Sequence, residues 1–180
     1  MSDGDIDREC DALSRSVMVQ CRMRGVRIAV SESLTGGLLA DAFVRVPGAS
    51  TVFLGSAVTY DVRAKASILG VNRDVLRDRG AVDPTVAAQM ASAVARLFDQ
   101  PVYGGRVLGL STTGVAGPGP DGRGMPEGLV YVGVSMSGVS DDAGVHVMRV
   151  TAHGDRGRIR RYAVDAALRY VSHVTSSDWE

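Results

Sequence analysis

A serine and a lysine that flank one predicted strand are the side chains best suited to chemistry in this sequence. Ser50 stands in the Pro-Gly turn VPGAS, and Lys65 follows the predicted strand TVFLGSAVTY. Lys65 is the only lysine, since the other nineteen of the 20 basic residues are arginine. Arginine keeps its proton in a protein, whereas a partly buried lysine can lose it and act as a base. An out-and-back path of the chain would bring Ser50 and Lys65 together as a nucleophile–base pair.

The role of a base makes an energetic demand on Lys65. At an unperturbed pKa near 10.4, keeping the amine neutral at pH 7 costs roughly 4–5 kcal/mol. The site must therefore lower the pKa to about 7–8, by desolvation or by a nearby cation. In the alternative interpretation, a lone lysine reflects only a compositional bias of the chain towards arginine.

Two loops are placed to line a site at the ends of predicted strands. SESLTGG (31–37) follows the first strand and enters a helix, so its backbone N–H groups could bind an anion. The alternative is a helix N-cap with turn glycines. TTGVAGPGPDG follows the third strand, and its threonine hydroxyls can point into the crevice between strands. The formal G-x-G-x-x-G match in GPGPDG does not predict a dinucleotide site, because two prolines remove N–H donors and a strand follows it.

The periodicity of the chain predicts an α/β fold. A first helix ends near Gly25, and short buried strands then alternate with helices until a hairpin joins strands four and five. The last predicted helix runs over 155–174. This order is typical of a three-layer α/β/α sandwich with a mixed, mostly parallel sheet of about five strands. Ligands in such folds bind beyond the carboxyl ends of the strands.

Length and composition limit the class of protein. The 180 residues suit one domain (1–180, core about 5–173), and a formal net charge of zero argues against a broad nucleic-acid or membrane surface. The polar, acidic N-terminus predicts no signal peptide, and no apolar run is long enough to span a membrane. Cys10 and Cys21 lie about three helical turns apart, so we expect buried thiols in a reducing cytoplasm. No spacing of Cys and His predicts a metal site.

These motifs, taken together, resemble a known family. SESLTGG, VPGAS, VTYDVRAKASILGV, GAVD and TTGVAGPGPDG…PEGLVYVGV follow in order the pattern of the CinA C-terminal domain, the nicotinamide-nucleotide amidase family. The resemblance covers about residues 5–173 and implies the stand-alone form, without the molybdopterin-binding-like domain of full-length members. It implies hydrolysis of the carboxamide of nicotinamide mononucleotide to nicotinic acid mononucleotide and ammonia, without metal or other cofactor, in NAD recycling.

The resemblance also implies roles for residues of this chain. Ser50 matches the nucleophile, Lys65 the general base and Thr113 a hydroxyl that assists them. Tyr60 matches a tyrosine of the substrate pocket. The basic cluster GDRGRIRR suggests Arg156 for the substrate phosphate, against the alternative of a solvated helix end. Further residues expected to line the site are Ser33, Thr35, Gly36 and Gly37. Backbone N–H groups near Ser50, or in the loop from Gly114 to Gly117, are expected to stabilise the oxyanion.

Two other functions remain open at this stage. The chain could be a catalytically silent CinA-like module that binds a nucleotide or a protein, or an amidase for another small amide. The resemblance further suggests a homo-oligomer acting on a small nucleotide, with neither nucleic acid nor membrane as partner.

Overall fold

The computed structural model describes residues 2–136 and 144–176. Strands in this part of the chain are β1 (Arg27–Glu32), β2 (Phe53–Val58), β3 (Val107–Gly114), β4 (Leu129–Met136) and β5 (Val145–Thr151). Helices are α1 (Asp3–Met23), α2 (Leu38–Val44), α3 (Val62–Leu69), α4 (Arg73–Arg79), α5 (Pro84–Phe98) and α6 (Arg156–Ser176). The predicted hairpin loop (137–144) lies almost entirely outside the described residues, as do 177–180 of the tail.

The five strands form one mixed sheet in the order β2-β1-β3-β4-β5. β1 pairs in parallel with β2 and with β3, whereas β4 runs antiparallel to β3 and to β5. The carboxyl ends of β1, β2 and β3 therefore meet at one edge of the sheet, where SESLTGG, the β2–α3 connection and the Gly/Pro loop begin. The prediction of an α/β sandwich with a mixed sheet of about five strands is confirmed.

Helices cover both faces of the sheet. α1, α2 and α6 pack on one face around Phe43, and α5 packs on the other with α3 and α4. Alternating strand residues fill the two cores, as the period of two in a strand requires. α5 approaches the sheet closely because Gly133 has no side chain: a Cβ there would lie 2.6 Å from the carbonyl oxygen of Ala87.

Local sequence signals explain where the helices near the site begin. The Asp61 side chain accepts a hydrogen bond from the N–H of Arg63 and caps α3. Asp83 caps α5 in the same way through the N–H of Thr85, with Pro84 in the first turn. Gly37 precedes α2 and has no side chain with which to cap it. Another group must therefore satisfy the first N–H groups of α2.

Candidate active site

Lys65 is fully buried and contacts a serine. Its side chain has 0% relative exposure, and its Nζ lies 2.8 Å from the Oγ of Ser33. The Nζ also donates a hydrogen bond to the carbonyl oxygen of Thr59, the residue that follows β2. Thr59 and Ser33 lie at the carboxyl ends of β2 and β1. The lysine therefore bridges the carboxyl ends of these two parallel strands.

The burial of Lys65 has the effect on its pKa that a base requires. Desolvation lowers the pKa of Lys65 from 10.5 to about 8, and the charge of Asp61 acts weakly in the opposite direction. A neutral amine can donate one N–H to the Thr59 carbonyl while its lone pair accepts the hydroxyl proton of Ser33. The geometry and the lowered pKa together suit proton abstraction from Ser33.

Ser33 is held at the edge of the sheet. Its backbone N–H donates to the carbonyl oxygen of Thr112 on β3 at 3.0 Å, and its relative exposure is 9%. The sequence predicts Ser33 as a lining residue of the pocket. The structure instead places it against Lys65, in the position predicted for Ser50.

Ser50 and Lys65 are not brought together within one chain. Ser50 is exposed in a short 3-10 turn (Ala49–Thr51) before β2, beside Thr51, whose hydroxyl accepts a hydrogen bond from Arg22 near the end of α1. Lys65 lies beyond the other end of β2. A strand of six residues rises roughly 20 Å. Ser50 and Lys65 are therefore separated by the length of β2, and the chain does not return to bring them together. The expected Ser50–Lys65 contact is therefore corrected to a Ser33–Lys65 contact.

The N–H groups where the SESLTGG loop enters α2 bind an anion that belongs to the chain itself. Glu32 is fully buried, and its Oε2 accepts from the N–H of Gly37 at 2.9 Å and of Leu39 at 3.1 Å. Its Oε1 accepts from the N–H of Ala40 at 3.0 Å and from the hydroxyl of Ser56 at 3.1 Å. Glu32 therefore supplies the cap that Gly37 lacks. Sequence reasoning missed Glu32, although a helix start at Gly-Gly without a capping side chain was a signal for it.

Thr35 has a structural position inside the same loop rather than an open face for a ligand. It is fully buried, and its hydroxyl donates to Glu32 Oε2 at 2.8 Å. Since that uses its one proton, the contact of 2.8 Å with Thr112 Oγ1 is a hydrogen bond that Thr35 accepts. The Thr35 hydroxyl is therefore engaged by partners within the chain, and the role of Thr35 in lining a substrate site stays a prediction.

Arg160 of α6 binds two backbone carbonyl groups of the SESLTGG loop. Its Nε donates to the carbonyl oxygen of Leu34 at 2.9 Å and its Nη2 to that of Thr35 at 2.8 Å. Gly36 and Gly37 have φ angles of +57° and +98°, which glycine adopts without strain. A Cβ at Gly36 would lie 3.2 Å from Arg160. These two glycines thus shape the loop that presents Ser33.

Thr113 lies beside Ser33 on the same face of the sheet. Continuing the parallel register of Glu32 with Thr112 by one residue places Thr113 next to Ser33. The Thr113 hydroxyl donates to the carbonyl oxygen of Ala81 at 2.6 Å, which leaves its lone pairs as acceptors. Gly114 follows where β3 lies so close to β4 that a Cβ would be 2.5 Å from the Leu129 carbonyl oxygen.

Arg156 joins two of the other predicted site residues. Its Nη2 donates to the hydroxyl of Tyr60 at 2.7 Å and its Nη1 to the carbonyl oxygen of Gly117 at 2.5 Å. Gly117 has a φ of +77° and lies against the carboxylate of Glu127, which also accepts the N–H of Gly119. Tyr60 follows Thr59 directly, so this cluster begins next to the Lys65 contact.

The arginines of α6 divide into two sets. Arg158 and Arg161 contact the carboxylate of Asp3 at 3.3 and 3.0 Å. Within residues 2–136 and 144–176, Arg156 and Arg160 form no ion pair, and the partners described above are neutral oxygens. Their positive charges remain available beside the Ser33 loop, where they favour an anionic ligand.

Across the described part of the chain, no three His, Cys, Asp or Glu residues lie in an arrangement that could hold a metal ion. None of the described helices is both long and apolar enough to cross a membrane. Cys10 and Cys21 are buried and not bonded to each other.

Comparison with known proteins places the chain in a family. The CinA C-terminal domain model matches residues 10–175. A putative competence-damage inducible protein of Moorella thermoacetica is 42% identical over 145 residues, 81% of this chain and 32% of that protein. A CinA-like protein of Frankia casuarinae is 41% identical over 171 residues, 95% of this chain and 36% of that protein. The chain thus spans about a third of the length of these relatives.

A solved structure agrees with the sequence comparisons. The competence damage-inducible protein A from Klebsiella pneumoniae has a TM-score of 0.84 and 26% identity, covering 95% of this chain and 99% of that one. The shared fold extends over nearly all of both chains. On the family match and the identity to these relatives, the chain belongs to the CinA C-terminal domain family.

Proposed function

We propose that this chain hydrolyses the carboxamide of a nicotinamide nucleotide, with Ser33 as the nucleophile and Lys65 as the general base. The observation that carries the proposal is the 2.8 Å contact between Lys65 Nζ and Ser33 Oγ. Burial lowers the pKa of this lysine to about 8, so a useful fraction is neutral near neutral pH. The family and the charges around the site are consistent with a nucleotide substrate.

The proposed reaction is acyl transfer in two steps. Lys65 takes the proton of Ser33 as Oγ attacks the carboxamide carbon, and the protonated lysine then gives that proton to the departing nitrogen, which leaves as ammonia. Water attacks the resulting ester, gives its proton to Lys65, and the carboxylic acid leaves as Ser33 recovers its proton. Thr113 lies beside Ser33 and offers an acceptor to the lysine ammonium between these transfers.

The oxyanion that forms during attack requires hydrogen-bond donors. The N–H groups of Leu34 and Thr35 directly follow Ser33, and they donate to no acceptor among the residues the structure describes. Glu32 occupies donors further along the chain, at Gly37 and, within α2, at Leu39 and Ala40. We assign the oxyanion to the N–H groups of Leu34 and Thr35.

The substrate phosphate is assigned to Arg156, with Arg160 contributing positive charge. An anion could replace the neutral Tyr60 and Gly117 oxygens as the partner of Arg156. A cation at the N-terminus of α6 opposes the helix dipole, and a bound phosphate offsets that conflict. The substrate proposed on this basis is nicotinamide mononucleotide, which would give nicotinic acid mononucleotide and ammonia.

The test is ammonia release from nicotinamide mononucleotide without added metal. Wild type should turn over, and Ser33→Ala and Lys65→Arg should each lose several orders of magnitude in kcat. Ser67→Ala removes an exposed hydroxyl from the same helix as Lys65 and serves as the matched control. Ser50→Ala separates the two serines: loss of activity there, with Ser33→Ala still active, would refute the assignment. Wild type that binds the nucleotide without releasing ammonia would favour the silent binding module.

The cellular setting and the oligomeric state belong to the same proposal. The two buried thiols fit a reducing cytoplasm. A homo-oligomer is expected from the family resemblance, and light scattering coupled to size exclusion would measure it. A panel of small amides in the same ammonia assay would test whether another amide is the better substrate.

A further inference from the structure

We propose that Glu32 is a positioning residue that holds both members of the Ser33–Lys65 pair in register. This inference rests on the proposed function for its catalytic readout. Glu32 precedes Ser33 in the chain, is fully buried, and accepts five hydrogen bonds through its two carboxylate oxygens. Every one of these contacts comes from a donor, so the site is built for an acceptor with two equivalent oxygens.

The first role of the carboxylate is to fix the loop that carries the nucleophile. Three of its donors are the N–H groups of Gly37, Leu39 and Ala40, at the start of α2, and a fourth is the Thr35 hydroxyl. Ser33 therefore lies between two anchors. One is the Glu32 carboxylate, and the other is its own backbone hydrogen bond to the Thr112 carbonyl.

The second role is to tie that loop to the strand that leads to the base. The fifth donor is the hydroxyl of Ser56 on β2, at 3.1 Å. Three residues further along, the Thr59 carbonyl accepts from Lys65 Nζ. Because successive strand residues face opposite sides, Glu32 acts from the α2 side of the sheet while Ser33 faces Lys65 on the other. Loss of the carboxylate would remove the hydrogen bonds that fix both the SESLTGG loop and β2.

An ordinary helix cap would not have this consequence. Asn72 caps α4 through the N–H groups of Asp74 and Val75, at 2.8 and 3.2 Å, on the surface of the protein. Removing the Asn72 side chain should destabilise the start of α4 and leave the Ser33–Lys65 site unchanged. Asn72→Ala is thus a control for the general cost of losing a cap.

The central experiment compares Glu32→Gln with wild type and Asn72→Ala. In Glu32→Gln the new NH2 group would face backbone N–H donors, either that of Ala40 or those of Gly37 and Leu39, so these hydrogen bonds become donor–donor contacts. We expect kcat for ammonia release to fall about a hundredfold, as for a misplacement on the order of 1 Å, with KM changed little. Asn72→Ala should lose stability but keep kcat. Wild-type kcat in folded Glu32→Gln would overturn the proposal.

Two further measurements keep the proposal testable if Glu32→Gln folds poorly. Thr35→Val removes one donor to Glu32 while preserving shape, and we expect kcat to fall roughly tenfold by the same displacement argument; an unchanged kcat would count against the role. Glu32→Ala leaves space for a small carboxylate among the same N–H donors. Formate should then restore part of kcat, whereas chloride at equal ionic strength should not, and equal responses to the two salts would contradict the proposal.

A readout without turnover separates this inference from the proposed function. Labelling of Ser33 by a serine-directed fluorophosphonate, followed by mass spectrometry, reports the Ser–Lys geometry even if wild type releases no ammonia. Wild type that labels but does not turn over would refute the amidase while leaving Glu32 testable by labelling rate. Equal labelling rates in wild type and Glu32→Gln would refute the positioning role alone.

Discussion

Lys65 is expected to titrate at about pH 8 rather than near its ordinary value of 10.5. Because Lys65 is the only lysine of the chain, protein labelled with 13C-lysine gives one side-chain resonance, and its titration needs no assignment. The same group should control catalysis: kcat/KM should rise with pH, pass through its midpoint near pH 8 and level off above that, as Lys65 loses its proton.

The lowered pKa also sets a dependence of stability on pH. The difference between 10.5 and about 8 corresponds to about 3 kcal/mol, at 1.36 kcal/mol per unit. Between these two values the unfolded chain binds more protons than the folded one, so the free energy of unfolding should rise with pH through that window. Below pH 8 the folded protein carries the full cost of a buried ammonium.

Lys65→Met tests this reasoning, because it fills a similar volume without charge. At pH 7 the variant should be more stable than wild type by up to about 3 kcal/mol, less the cost of leaving the Thr59 carbonyl without its donor. The advantage should shrink as pH rises towards 10.5. Urea unfolding of both proteins at pH 7, 8.5 and 10 measures the difference. A lysine resonance that titrates above pH 10, together with a pH-independent stability difference, would refute the argument.

Three further outcomes are expected. Arg156→Gln should raise KM for nicotinamide mononucleotide by about tenfold to a hundredfold, as for one charge-assisted hydrogen bond, and should leave hydrolysis of the phosphate-free riboside unchanged; equal effects on both substrates would show that Arg156 does not bind the phosphate. Gly133→Ala should destabilise the fold by about 1–3 kcal/mol in thermal unfolding, because its Cβ would lie 2.6 Å from the Ala87 carbonyl oxygen. Turnover should persist after exhaustive treatment with EDTA, and its loss, reversed by a divalent metal, would contradict the Ser–Lys mechanism.

The sequence predicted the elements and singled out Lys65 because both depend on local signals. Hydrophobic periodicity, the Asp83–Pro84 helix start and the Pro-Gly turn are local features, and the structure has the corresponding strands and helices. Lys65 stood out because its chemistry differs from that of every other cation in the chain. The fold class and the choice of Lys65 therefore required no knowledge of long-range contacts.

The partner of Lys65 could not be predicted in the same way, because it depends on which strand lies beside β2. Ser50 and Lys65 are close in sequence but lie at opposite ends of a strand, whereas Ser33 reaches Lys65 only because β1 and β2 are parallel neighbours. Glu32 was missed for a related reason. A carboxylate at a strand end suggests solvent, and its burial becomes evident only once α2 turns back over it.

The distribution of charge around the site is compatible with the proposed pairing of a neutral lysine with an anionic substrate. Among the residues that the structure describes, no acid contacts the Lys65 amine, and Asp61, whose charge raises its pKa, is committed to the α3 cap and to Arg63. Glu32 is closest along the chain to Ser33, but its oxygens are taken up by five donors. Arg156 and Arg160, meanwhile, contact neutral oxygens. The crevice thus combines cations that attract an anion with a buried amine whose proton is easily lost, which is the combination that a lysine-dependent amidase acting on a phosphorylated amide requires.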